Sequence, residues 1–65
     1  MTPGELVRRR REELGWSQSR LAQAAGTGQA LISRIEQGRV SPTVQMLTRL
    51  ADAMHAQLSL SFSPR

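Results

Sequence analysis

The chain has 65 residues, and one this short removes only about 60% of its unfolded-state surface from water, which leaves no room for a second core or a deep substrate cleft. Hydrophobic residues make up 38% and charged residues 22%, the balance of a folded soluble domain, and the absence of cysteine excludes disulfide scaffolds, zinc ribbons and thiol chemistry. Nine arginines and no lysine against five acids give a net charge of +4, which points to a polyanionic partner, nucleic acid first and an acidic membrane surface second; a GC-rich coding background explains an all-arginine set equally well.

Glycines and capping residues divide the chain into short helices. Thr2-Pro3-Gly4-Glu5 reads as a helix start, with Thr2 as N-cap, Pro3 at the first helical position and Glu5 completing a capping box. This helix runs to Leu14 and stops at Gly15, with Val7, Arg11 and Leu14 on one face. Ser17 caps a second helix from Gln18 to Ala25, closed by Gly26, whose inward face is Leu21, Ala22 and Ala25. Thr27 is the expected cap of a third helix, Gly28 to Gln37, which ends at Gly38 and buries Ile32 and Ile35. The second and third helices are then joined by a Gly26-Thr27 corner, the geometry of a helix-turn-helix.

Ser41-Pro42 repeats the cap-plus-proline start and predicts a fourth helix from about Thr43 to Met54 or His55, with Val44, Leu47, Leu50, Ala51 and Met54 as its apolar stripe. After His55 the period changes. Gln57 to Ser63 alternates polar and apolar residues, the pattern of a half-buried strand. No second strand is visible elsewhere in the sequence to pair with it. The simplest partner is the same strand of a second copy, antiparallel about a two-fold axis, with Leu58, Leu60 and Phe62 covering the helices of a homodimer. The alternative is a frayed tail. The expected fold is therefore all-α: a compact four-helix domain over residues 1–56, then a dimerisation strand and tail over 57–65.

The stretches Arg11-Glu12-Glu13-Leu14-Gly15-Trp16-Ser17-Gln18, Leu21-Ala22, Gly26, Ile32-Ser33-Arg34-Ile35-Glu36-Gln37-Gly38-Arg39 and Ser41-Pro42-Thr43, in that order and spacing, resemble the lambda-repressor-like, or Xre/Cro-type, helix-turn-helix domains. The resemblance covers roughly residues 5 to 55. Many members of that family continue into a fifth helix, whereas here the tail alternates. In this the chain is similar to members whose C-terminal strand builds an intersubunit sheet, including antitoxins of HipA-type kinase toxins.

The resemblance assigns roles. In a helix-turn-helix the second helix of the motif lies in the major groove. Gln29, Ala30, Ser33 and Arg34 match the family's base-reading positions and lie opposite Ile32 and Ile35. Gln can bond adenine bidentately, Arg can do so to guanine, and Ala can touch a thymine methyl. Gln18, at a helix N-terminus whose free N–H groups suit phosphate, matches a family residue that bonds the DNA backbone and braces the recognition helix. Thr27, Arg39 and Arg10 are further phosphate candidates. Arg8 and Arg9 are expected in solvent, beside Glu12 and Glu13. Arg11 lies on the inward stripe, where a charge needs a partner, and the family pairs that position with Glu36 in a structural salt bridge. Trp16 is read as a lid on the core rather than a base-stacking group, and His55 as a helix-end residue.

One histidine and no pairing of a nucleophile with a base leave no material for an enzyme, and neither metal nor cofactor is expected. No apolar run approaches the roughly 20 residues of a membrane span and no signal peptide is visible, so no membrane role is expected and the expected location is the cytoplasm, on the nucleoid when bound. The function that follows is a dimeric regulator, an autorepressor on a palindromic operator in double-stranded DNA. The alternative is an antitoxin that holds a toxin protein inactive, with operator binding as a second role.

Overall fold

Four helices follow one another in a computed structural model that describes residues 1–58: α1 (Pro3–Glu13), α2 (Gln18–Ala25), α3 (Gln29–Glu36) and α4 (Val44–Ala53). Local chemistry sets most of the boundaries. At α1, the Thr2 hydroxyl accepts from the Glu5 backbone N–H at 3.2 Å while the Glu5 carboxylate accepts from the Thr2 N–H at 3.3 Å, a complete capping box. The helix gives way at Leu14, and Gly15 turns the chain with φ +69°. Ser17 caps α2 by accepting from the Arg20 N–H at 3.0 Å, and Gly26 closes it in the left-handed conformation.

Two caps differ from the sequence reading. Thr27 does not cap α3. Its N–H closes the end of α2 by donating to the Ala22 carbonyl at 2.9 Å, so the next residue, Gly28, takes the extended N-cap position without a side-chain bond. Ser41-Pro42 does not start α4. Ser41 and Pro42 lie outside any helix, and the extended N-cap is Thr43, whose hydroxyl accepts from the Met46 N–H at 3.0 Å. Val44 thereby becomes the first helical residue and is 58% exposed, outside the stripe it was expected to join.

The core is Val7 from α1, Leu21, Ala22 and Ala25 from α2, Ile32 and Ile35 from α3, with Leu50 and Met54 from α4 and its end. Leu14, Trp16, Leu31, Val40, Met46 and Leu47 pack around it. The small Ala22 and Ala25 let α2 sit close to its neighbours. Gly4 allows a second close approach: a Cβ there would overlap the Ile35 carbonyl oxygen, so the first turn of α1 rests directly on the backbone of α3. In the sequence, Gly4 stands only as part of a helix start.

Among the described residues there is no strand. Gln57 and Leu58 follow α4 without regular structure, and the rest of the expected dimer strand, including Leu60 and Phe62, lies outside the described residues. No helix among the described residues is long and apolar enough to cross a membrane.

Candidate nucleic-acid interface

The candidate surface is built from the inside outward. Ile32 and Ile35 are 0% and 1% exposed and fix the rotation of α3 against the core. That rotation turns Gln29, Ala30 and Arg34 to solvent, with Ser33 half-buried beside them. The Ser33 hydroxyl accepts from the Gln37 side-chain amide at 3.1 Å, which leaves its own proton available.

A chain of polar bonds runs from the core to the start of this surface. The Arg11 guanidinium grips Glu36 through two parallel bonds, Nε to Oε2 at 2.7 Å and Nη2 to Oε1 at 2.8 Å. Its remaining arm, Nη1, donates to the Trp16 carbonyl at 2.7 Å. The two side chains are 12% and 4% exposed, so the pair is largely withdrawn from water. Burial pushes the Glu36 carboxyl up, but hydrogen bonds from Arg11 and Gln18 and the Arg11 charge outweigh it and hold the group below the ordinary carboxylate range. The hydrogen bond to Glu36 likewise raises Arg11.

Gln18 Nε2 donates to the same Glu36 Oε1 at 3.2 Å, which fixes the orientation of the Gln18 amide. Gln18 Oε1 then accepts from Gln29 Nε2 at 2.7 Å. Gln29 keeps one Nε2 hydrogen and its Oε1 uncommitted. These are the donor and acceptor that the N7 and N6 edge of adenine requires. Gln18, Gln29, Arg11 and Glu36 thus form one network joining the first turn of α2 to both ends of α3.

The other arginines separate into classes by what their guanidinium groups touch. Arg8 lies 3.5 Å from Glu12, an exposed pair. Arg10, expected at a phosphate, donates from Nε to the Met54 carbonyl at 3.0 Å and lies 3.6 Å from Glu13, so its head is turned toward the end of α4. Arg20 stacks over the half-buried Trp16, 4.9 Å from the ring centroid. Arg49 donates to carbonyls at the end of α2, a contact that no sequence signal marked. Arg34 and Arg39 are exposed and make no side-chain hydrogen bond or ion pair among the described residues, and both lie on or just after α3. Thr27 is half-buried in the corner before α3. His55 sits past the end of α4, exposed, with φ +54°. Among the described residues no group of acidic or histidine side chains gathers as a metal site.

A helix-turn-helix family model matches residues 7–60. The chain belongs to the lambda-repressor-like helix-turn-helix family. It is 41% identical over 54 residues to the HTH-type transcriptional regulator SutR of Escherichia coli K12, a match that covers 83% of this chain and 30% of that protein. It is 36% identical over 63 residues to the HTH-type transcriptional regulator PuuR of the same organism, covering 97% of this chain and 34% of that protein. An uncharacterised HTH-type transcriptional regulator of Methanothermobacter thermautotrophicus is 39% identical over 49 residues, covering 75% of this chain and 71% of that protein. The chain spans about a third of the length of the two Escherichia coli relatives. No solved structure gives a significant match.

Proposed function

We propose that this chain is the DNA-reading domain of a transcriptional regulator and binds duplex DNA with α3 in the major groove. The observation that carries this reading is the braced Gln29 at the first turn of α3. Its amide is held by Gln18 and still offers a donor and an acceptor outward. Gln29, Ala30, Ser33 and Arg34 read base edges, with Arg34 suited to guanine. Gln18, Thr27 and Arg39 meet the phosphates on either side. Arg10 is assigned to the α1–α4 contact rather than to DNA. That the relatives are named as transcriptional regulators favours this role over neutralisation of a toxin.

The domain acts as a homodimer that represses its own operon. An apolar groove of about 310 Å³ between α1 and α4 supports the dimer; Pro3, Leu6, Leu47, Met54 and Leu58 line it, and Leu6 is 51% exposed. Pairing residues 57–63 of two copies as an antiparallel ribbon lays Leu58, Leu60 and Phe62 over the two grooves and satisfies the strand backbones together.

Selection of duplexes from a randomised pool tests the reading. A palindrome with half-site centres about 34 Å apart is expected, because two recognition helices enter successive major grooves. Failure to enrich any sequence overturns the base-reading role. Removing residues 57–65 is expected to give a monomer by sedimentation, and a dimer that survives the truncation overturns the strand pairing.

A further inference from the structure

The link between α2 and α3 has little stiffness of its own. Gly26 adopts φ +71°, Gly28 is the N-cap of α3, and no side chain caps that helix. Glycine adds no Cβ restraint, so the angle between the two helices must be fixed from outside the link. At one side Gln18 holds Gln29. On the other side Arg49, from α4, reaches across. Its Nη2 donates to the Ala25 carbonyl at 2.7 Å and to the Gly26 carbonyl at 3.3 Å. A Cβ placed on Gly26 would come to 3.0 Å from that nitrogen, so the guanidinium lies directly over the corner. The last carbonyls of a helix have no partner within it, and a cation there also meets the negative end of the helix dipole. Arg49 makes no ion pair among the described residues; its hydrogen bonds go to these two carbonyls.

Resting on the DNA-reading role, we infer that Arg49 is a positioning residue for it. It touches no base, and it holds the corner at the angle that presents Gln29 and Arg34 to the groove. α4 thereby does two jobs with opposite faces, one lining the apolar groove through Leu47, Leu50 and Met54 and one bracing the motif.

The test uses the whole chain and the duplex that the wild-type chain selects from a randomised pool. Arg49→Met keeps the aliphatic stem and removes the donors. It is expected to stay helical by circular dichroism and to bind the selected duplex about tenfold more weakly, the worth of one charge-assisted hydrogen bond. The slope of log affinity against log salt is expected to stay unchanged, and amide exchange at Thr27 and Leu31, whose N–H groups bond the Ala22 and Gly28 carbonyls, to quicken. Arg49→Lys, which keeps a cation able to reach the carbonyls, is expected to restore most of the affinity. Two results overturn the inference: unchanged affinity in Arg49→Met, or a salt slope shallower by about one unit, which marks a direct phosphate contact. Should Arg49→Met lose its fold, Arg49→Gln, which removes the charge and draws the remaining amide donors back from the carbonyls, carries the comparison. If the wild-type chain selects no duplex, the DNA reading itself falls. Exchange at Thr27 and Leu31 then still decides whether Arg49 braces the corner.

Discussion

The α2–α3 face and the α1–α4 groove are built on the same core and stabilised by different physics. At the first, polar side chains brace one another from Arg11 through Glu36 and Gln18 to Gln29, and no buried side-chain polar atom among the described residues lacks a partner. At the second, Pro3, Leu6, Leu47 and Met54 leave an apolar trough with Arg10 at its edge. Hydrogen bonds depend steeply on distance and angle, whereas apolar burial scales with area and has no direction. A surface that must distinguish one base from another therefore has to be held in place. A surface that needs only to be covered can be satisfied by any apolar segment of suitable shape.

The largest expected effect comes from cutting the braced face at its root. Glu36→Ala leaves the Arg11 guanidinium largely buried without its carboxylate, and breaking such a pair costs about 3–5 kcal/mol. Urea unfolding measures it; a loss under about 1 kcal/mol, the worth of an exposed pair, would erase the distinction between this face and an ordinary solvated one. The same pair sets a pH dependence. Because the Glu36 carboxyl is held low in the folded state, its contribution is complete above the ordinary carboxylate range and is lost as pH falls through the depressed value. Glu36→Gln is expected to be less stable at neutral pH and to lose part of the acid-side decline. A decline as steep as the wild type's assigns the acid sensitivity to other carboxylates.

Next in size is the reading edge itself. Gln29→Ala combined with Arg34→Ala removes two side chains suited to bidentate base contacts, each worth roughly 1–3 kcal/mol of discrimination. Both are exposed, so the unfolding midpoint is expected to stay nearly constant while preference for the selected duplex over a scrambled one collapses. Unchanged selectivity would move the reading face elsewhere on the molecule.

The two faces were not equally legible in the sequence. Where a boundary depends on one residue's own chemistry, the pattern located it: Gly15 and Gly26 end helices in the left-handed conformation, Thr2 and Ser17 cap them, and α2 spans Gln18–Ala25 as expected. Thr27 and Ser41 failed as caps because a hydroxyl near a helix start is only a candidate. The backbone decides which residue is extended, and here Thr27 closes α2 while Gly28 takes the extended position before α3. Contacts between elements distant in sequence left still less trace. Gly4 reads as a helix-start residue until α3 is placed against it. Arg49 carries no sequence signal at all, and its role is visible only once the end of α2 lies beneath it. In the Arg8 to Arg11 block, the sequence places Arg8 beside Glu12 and pairs Arg11 with Glu36 by resemblance, whereas nothing in it marks the turn of Arg10 to the end of α4.

That sorting gives the smallest and most discriminating prediction. Arg39 is exposed and makes no side-chain hydrogen bond or ion pair among the described residues, just beyond the end of α3. Arg10, also basic, has its Nε on the Met54 carbonyl beside the apolar groove. Each phosphate neutralised releases condensed counterions and contributes about 0.9 to the slope of log affinity against log salt. Arg39→Ala is therefore expected to flatten that slope by nearly one unit, weakening selected and scrambled duplexes alike, since a phosphate carries no sequence information. Arg10→Ala is expected to leave the slope untouched and to lower stability slightly through the lost α1–α4 contact. The reverse outcome, a flatter slope for Arg10 and none for Arg39, would place the DNA on the groove side. It would also mean that the apolar trough and the polar network had been given each other's partner.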